Sequence, residues 1–256
     1  MNRIRHFLML SAGLLALCGS GTAQDPRSIV EEAQKRSTSE SQRYEGTLQV
    51  IDDKTRVTVK RWQYDRIGSH GMSKSVLRFV APAEVKGVAL LVVNHPDRSS
   101  DQWMWTPAIA RERRIAMQDR STRFFGTDFS FEDLEERDTS QFTYKMLAQE
   151  QIDGAMCWKI ESRPKQTKVS QYTYSFVWIR QDNYVVVQIE NYGKDKLVRR
   201  AKYSDIQRVQ NISTPQTIEM FDVDRKSRTV LKLEKLQYNV PMKDEDFTIQ
   251  ALQRGS

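Results

Sequence analysis

The sequence predicts a mainly β (α+β) protein, built as one antiparallel meander of roughly ten or eleven strands that curves strongly or closes into a barrel. Three observations lead there. From Tyr44 onward the chain runs in short segments that alternate apolar and polar residues, the period of a half-buried strand. These segments are separated by turn clusters such as Asp153-Gly154 and Gln181-Asp182-Asn183. No repeat, low-complexity tract or linker divides them, so consecutive hairpins belong to a single sheet.

The first residues set the compartment. Met1–His6 carries Arg3 and Arg5 and no acid, Phe7–Leu17 is an apolar run too short to span a bilayer, and Gly21-Thr22-Ala23 supplies the small residues that signal peptidase requires. Residues 1–23 therefore read as a secretory signal, and residues 24–256 as one mature domain in the periplasm. Cys18 offers a rival, acylation as in a lipoprotein signal, but bulky Leu17 precedes it where such signals favour Gly, Ala or Ser. Cleavage removes two arginines and no acid from a chain of formal charge +7, leaving +5. In an exported protein that basicity points toward anionic lipid headgroups rather than nucleic acid, and most of it to a solvated surface. Beyond the signal no run is apolar enough to cross a membrane as a helix, and Cys157 is the one remaining cysteine, so no intramolecular disulfide can form.

The elements follow in order. Ser28–Ser41 reads as a helix, with Ser28 as N-cap and Glu31 at the capping-box spacing. Leu48–Ile51 and Thr55–Tyr64 flank the turn Asp52-Asp53-Lys54, with Val57 and Val59 on one face and Trp62 and Tyr64 on the other. Ser75–Ala81 stops at Pro82, Gly87–Asn94 is apolar on both faces, Gln102–Thr106 sets Trp103 and Trp105 on one side, and Glu112–Met117 is a further short strand. Downstream, Phe142–Ile152 and Met156–Ser162 meet at Asp153-Gly154, and Tyr172, Tyr174, Phe176 and Trp178 alternate through the next strand. Tyr184–Asn191, Lys196–Tyr203, Thr217–Val223 and Arg228–Tyr238 complete the meander, and a short helix forms near Asp244–Leu252. The two terminal helices and a helical turn in the middle are the available lids for the inner face.

Arg120–Arg137 (RSTRFFGTDFSFEDLEER) has the acidic, aromatic look of a catalytic site, yet a helix start explains most of it. With Ser130 as N-cap, Asp133 falls at the third helical position, where its carboxylate accepts from the Ser130 N–H. Phe129 and Leu134 have the spacing of a hydrophobic staple, and Glu132 and Asp133 sit where the helix dipole favours acids. Asp128 is not absorbed by that account: it caps the turn after Gly126 or pairs with Arg120 or Arg123. No catalytic residue, metal ligand or cofactor is assigned. His70 and His95 have neither each other nor Cys157 at metal spacing, and no nucleophile elbow, phosphate loop or dinucleotide fingerprint is present. Carboxylate pairs such as Asp128 with Asp133 or Asp222 with Asp224 arise by chance in an acid-rich chain, and Cys157 reads as a small buried apolar residue. The protein is expected not to be an enzyme.

What remains is apolar surface on strands. SVLRFVAPAEVKGVALL (75–91), DQWMWTPA (101–108) and RRIAMQDRSTRFFGTDFSFEDL (113–134) resemble the LolA-like outer-membrane lipoprotein-sorting proteins, in their broad and mostly uncharacterised branch. The resemblance runs over nearly the whole mature chain, with Gly126-Thr127-Asp128-Phe129-Ser130 its most specific block. It implies a half-open antiparallel β-barrel closed by short helices around an apolar cavity for lipid acyl chains. On that basis the lipid-binding candidates are Phe79, Trp103, Trp105, Phe125, Phe129, Leu134, Phe176 and Trp178; Trp103 and Trp105, alternate on one strand, point both inward or both outward, and outward they would be a docking patch for a partner. It further implies an arginine on an early strand that ties down the lid, for which Arg56 and Arg61 are the candidates. The implied partners are acyl chains or a lipoprotein and an inner-membrane export permease. The function implied is carriage of lipid or lipoprotein, and the alternative is a periplasmic sensor or regulatory binding protein on the same fold.

Overall fold

The computed structural model describes residues 24–96, 98–166 and 170–254; the segment read as a signal and Cys18 lie outside the described residues. Among the described residues thirteen strands form one antiparallel sheet. Its first half is β1 (Ser41–Ile51), β2 (Val57–Ile67), β3 (Lys74–Ala81), β4 (Ala89–Val93), β5 (Asp101–Thr106) and β6 (Arg111–Arg114). The second half is β7 (Phe142–Ile152), β8 (Ala155–Pro164), β9 (Tyr174–Arg180), β10 (Val186–Gly193), β11 (Lys196–Val209), β12 (Ile212–Asp222) and β13 (Ser227–Tyr238). The spatial order runs β6 to β1, then β13 back to β7, so two meanders are joined along β1 and β13 and the edges β6 and β7 stay unpaired. Thirteen strands exceed the expected ten or eleven, although each one, β6 included, overlaps a segment that its alternation marks as a strand.

The turns are the expected ones where their chemistry is explicit. Asp153 and Gly154 adopt φ of 48° and 81°, the two-residue turn with both central residues left-handed. The hairpin between β11 and β12 uses the same geometry at Gln210 and Asn211, φ 45° and 71°, without a glycine. That turn was not anticipated, and both strands therefore run longer than the sequence suggested. Opposite Trp62, Gly46 leaves room for the indole: a Cβ there would lie 2.1 Å from Trp62 Nε1.

The sheet wraps its inner face around the connection between β6 and β7, residues 115–141. Trp62, Phe79, Leu48, Leu90, Met220 and Leu231 from the strands pack with Phe124, Phe129 and Phe131 from this connection. The neighbouring residues Ala89 and Leu91, one position out of phase, belong to a separate outer cluster with Trp105, Phe247 and Leu252. Helix α1 (Pro26–Ser37) lies on the inner face, its Ile29 fully buried against Trp158, Ile160 and Ile179. Its cap is Asp25, whose carboxylate accepts from the Ser28 N–H at 3.0 Å, rather than Ser28. Pro26 fits the first turn because its missing N–H would be unpaired there anyway. Helix α2 (Ile249–Arg254) packs on β4 and β5 through the outer cluster, so the C-terminal helix does not close the inner face. The structure is therefore an unclosed sheet filled by its own central connection and α1, not a barrel closed by three helices.

Candidate functional site

The segment Arg120–Arg137 makes the reciprocal Ser130–Asp133 hydrogen bonds expected of a capping box, although the residue at the cap position of the following turn is Phe131. Ser130 donates its N–H and its hydroxyl to Asp133 Oδ2 at 2.8 and 2.7 Å, and the Asp133 N–H reaches back to Ser130 Oγ at 3.3 Å. The helix it starts is a single 3₁₀ turn, Glu132–Leu134, because the next residues leave for β7. Asp128, fully buried, pairs with Arg123 at 2.8 Å and accepts from the hydroxyls of Ser227 at 2.5 Å and Thr229 at 2.7 Å. Arg123, one of the two arginines considered, is its partner. Arg199 of β11 donates to the Asp128 carbonyl at 3.1 Å and to the Tyr172 hydroxyl at 3.0 Å, and Tyr172 donates on to Asp133 at 2.8 Å. Burial, reinforced by Asp133, holds the Tyr172 hydroxyl well above its ordinary pKa, so it stays a donor. These contacts fasten the central connection to the sheet and leave the acids already paired.

Arg56 and Arg61 do not hold the lid. Arg56 closes the β1–β2 turn on Asp52, and half-exposed Arg61 reaches Glu45 and Glu234. Arg66, five residues further along β2, is the buried one: its guanidinium lies 3.2 Å from Glu136 and donates to Ser39 and Ser69. An inward arginine on an early strand is thus present, at a position that hydrophobic alternation alone could have marked, since it shares its face with Trp62 and Tyr64.

Beside the packed half lies a cavity of about 780 Å³, between α1 and the inner face of β7 to β12. Val30 and Ala33 of α1 face Val177, Ile179, Val186, Ile189, Ala201 and Met220 of the sheet. Glu132, Asp133, Glu135 and Arg137 form one wall, and Asn183, Arg208 and Asn211, from the β9–β10 and β11–β12 turn regions, stand at the end near the C-terminus of α1. The volume is that of a small-molecule site.

The eight candidate residues fall into three places. Phe79, Phe125, Phe129 and Leu134 come together in the inner core, with Phe79 and Phe125 ring centroids 6.0 Å apart, but they fill space rather than line the cavity. Trp103 and Trp105 are on the outer face under α2, and Phe176 and Trp178 are also outside, packed with Cys157 and Val187. The expectation that the large strand aromatics face the cavity is therefore incorrect for these four. The reason is volume: bulky rings close a core to native density, and a void survives where the inward residues are small, at Val177, Ile179, Ile189 and Ala201. Val177 and Ile179 alternate with the chosen Phe176 and Trp178, so β9 was read with the wrong phase, and β10 and β11 supplied no candidate.

An unclosed antiparallel sheet wrapped round a central connection, with a cavity under an N-terminal helix, is a fold that this chain shares with several solved structures. A family model for uncharacterized proteins, DUF1329, matches residues 71–254, and the chain belongs to that family. Among solved structures it is similar to a domain named for outer membrane lipoprotein sorting from Vibrio parahaemolyticus, at 22% identity and a TM-score of 0.85 over 90% of this chain and 98% of that one. A DUF1329 family protein from Desulfovibrio piger is 25% identical, with a TM-score of 0.84 over 90% of this chain and all of the other (100%). A LolA superfamily protein from Nitrosomonas europaea is 19% identical, with a TM-score of 0.72 over 90% and 100%. No curated protein sequence matches the chain significantly. No helix among the described residues is long and apolar enough to cross a membrane.

Proposed function

We propose that this protein is a periplasmic carrier, a binding protein rather than an enzyme, that holds lipid or lipoprotein acyl chains in the cavity beneath α1 and exchanges them with an inner-membrane export permease. The observation that carries the reading is the cavity itself: about 780 Å³ in which aliphatic side chains of α1 and of the sheet face one another, with polar and charged residues along one wall and the rim. The named function of the Vibrio neighbour supports it. Burial of apolar surface would supply the affinity, at roughly 0.8 kcal/mol per CH₂, so binding should strengthen about fourfold for each added methylene until the cavity is full. The reporter is Trp158, which packs with Ile29 under α1 and stands 5.1 Å from the ring of cavity-lining Tyr184, in place of Trp103 and Trp105.

The test is fluorescence titration of delipidated protein with fatty acids of increasing length, with Trp158→Phe to assign the signal and Ile189→Trp to fill the cavity. Saturable binding that climbs with length and is lost in Ile189→Trp is expected. Native mass spectrometry of the envelope-purified protein should show a chain starting at Gln24 with acyl ligands attached. Absence of binding at any length, in folded and delipidated protein, would sink the carrier and favour the regulatory binding protein.

A further inference from the structure

Two kinds of residue line the cavity and make its chemical poles. Val177, Ile179 and Ile189 are aliphatic; Arg137 and Tyr203 are hydrogen-bond donors. The Arg137 guanidinium lies 5.5 Å from the Phe142 ring and 5.7 Å from the Tyr172 ring, which orient it. Of its five N–H donors, one meets Glu132 Oε1 at a long 3.5 Å, and no other described residue accepts from the rest. The Tyr203 hydroxyl has no hydrogen-bond partner among the described residues. Burial pushes its pKa up to about 12, Asp133 adding to the effect and nearby Arg137 opposing it, so it remains a neutral donor.

The acids on the same wall are already engaged. Glu132 accepts from the Gln171 N–H at 2.8 Å and from the Ser170 hydroxyl, Asp133 accepts from Ser130 and Tyr172, and Glu135 accepts from Gln102 at 2.6 Å and lies 3.2 Å from Arg120. The pole therefore presents donors that no described residue takes up, where a ligand oxygen in the cavity can meet them. We infer that the cavity takes an acyl group oxygen-first, with a carboxylate or ester carbonyl accepting from Arg137 and Tyr203 while the chain lies along the aliphatic pole. The inference rests on the carrier reading and adds the chemical class that the site distinguishes.

The experiment is calorimetric titration of the delipidated mature protein with laurate, methyl laurate and dodecylammonium, three ligands of matched chain and different polar end. The variants are Arg137→Gln and Tyr203→Phe, each checked for an unchanged melting transition, with Arg137→Lys as a partial rescue that restores charge without the planar fork. Laurate should bind at least about tenfold more tightly than dodecylammonium, and Arg137→Gln should weaken laurate by about 10- to 100-fold, as expected for a charge-assisted hydrogen bond. Tyr203→Phe, which keeps the ring, should weaken it by about threefold to tenfold. Neither variant should weaken dodecylammonium. Methyl laurate separates the two sources of the oxygen: sensitivity to both variants assigns the ester carbonyl of a lipid, insensitivity a free carboxylate. If all three ligands bind alike, or laurate holds both variants as tightly as the wild type, the inference falls and the carrier reading stands. If none binds, both fall together.

Discussion

Ser130 and Glu135 show how one short segment divides between scaffold and chemistry. Ser130 is fully buried and shares Asp133 Oδ2 between its N–H and its hydroxyl. Ser130→Ala should therefore cost about 0.5–2 kcal/mol in urea unfolding and leave acyl binding intact; lost binding at unchanged stability would reverse the architectural reading. Glu135 lies 3.2 Å from Arg120 and accepts from Gln102 at 2.6 Å, yet burial dominates and pushes its carboxyl from an ordinary 4.5 up to about 7. A raised folded pKa contributes stability that is complete below the unfolded value and is lost as pH rises through the folded one. The wild type should accordingly lose stability relative to Glu135→Gln between about pH 5 and pH 8. A pH-independent difference would mean that Arg120 keeps the carboxylate charged throughout. At this scale the capping box was legible because it is a local pattern of residues three apart. Of the partners of Asp128, Arg123 was within reach of such a local reading, and Ser227 and Thr229 were not, since they approach from a strand about a hundred residues away.

The two helices are similar in size to many lids but act on opposite faces. Leu252 of α2 is fully buried in the outer cluster with Trp105 and Phe247. Leu252→Ala should destabilise by roughly 2–5 kcal/mol and shift tryptophan emission to the red as Trp103 and Trp105 meet water. Acyl affinity should not change, because nothing of α2 lines the cavity; a matching loss of affinity would contradict the outer placement. Sequence alternation identified the pairs Trp103–Trp105 and Phe176–Trp178 as sharing a face, and each pair does. Which face is inner depends on what covers it, and Phe247 and Leu252, far along the chain, supply the outer cover for the first pair. Alternation fixes phase within a strand and is silent about its absolute sign. The early-strand arginine is the converse case: alternation already separates buried Arg66, in phase with Trp62 and Tyr64, from exposed Arg61 on the same strand.

Across the whole molecule the meander was legible because nearly every ladder joins consecutive strands through a short turn whose residues announce it. Tertiary curvature, the filling of the inner face and the cavity are collective outcomes of side-chain volume, and no segment encodes them alone. One pairing departs from the sequential rule: β1 meets β13, residues 42–51 against residues 228–238, with Leu48 directly opposite Leu231. That ladder has a kinetic consequence. Each half-sheet can zip up from its own hairpins, but the seam must close a loop of most of the chain, and the entropy of that closure is paid before its contacts form. The rate-limiting barrier should lie at the joining of two preassembled halves. Leu231→Ala should then slow refolding more than it speeds unfolding, which the two arms of a chevron plot separate. During the interval before the seam forms, β1 and β13 are long unpaired edges, and that is when the newly made chain is most exposed to pairing with another copy of itself.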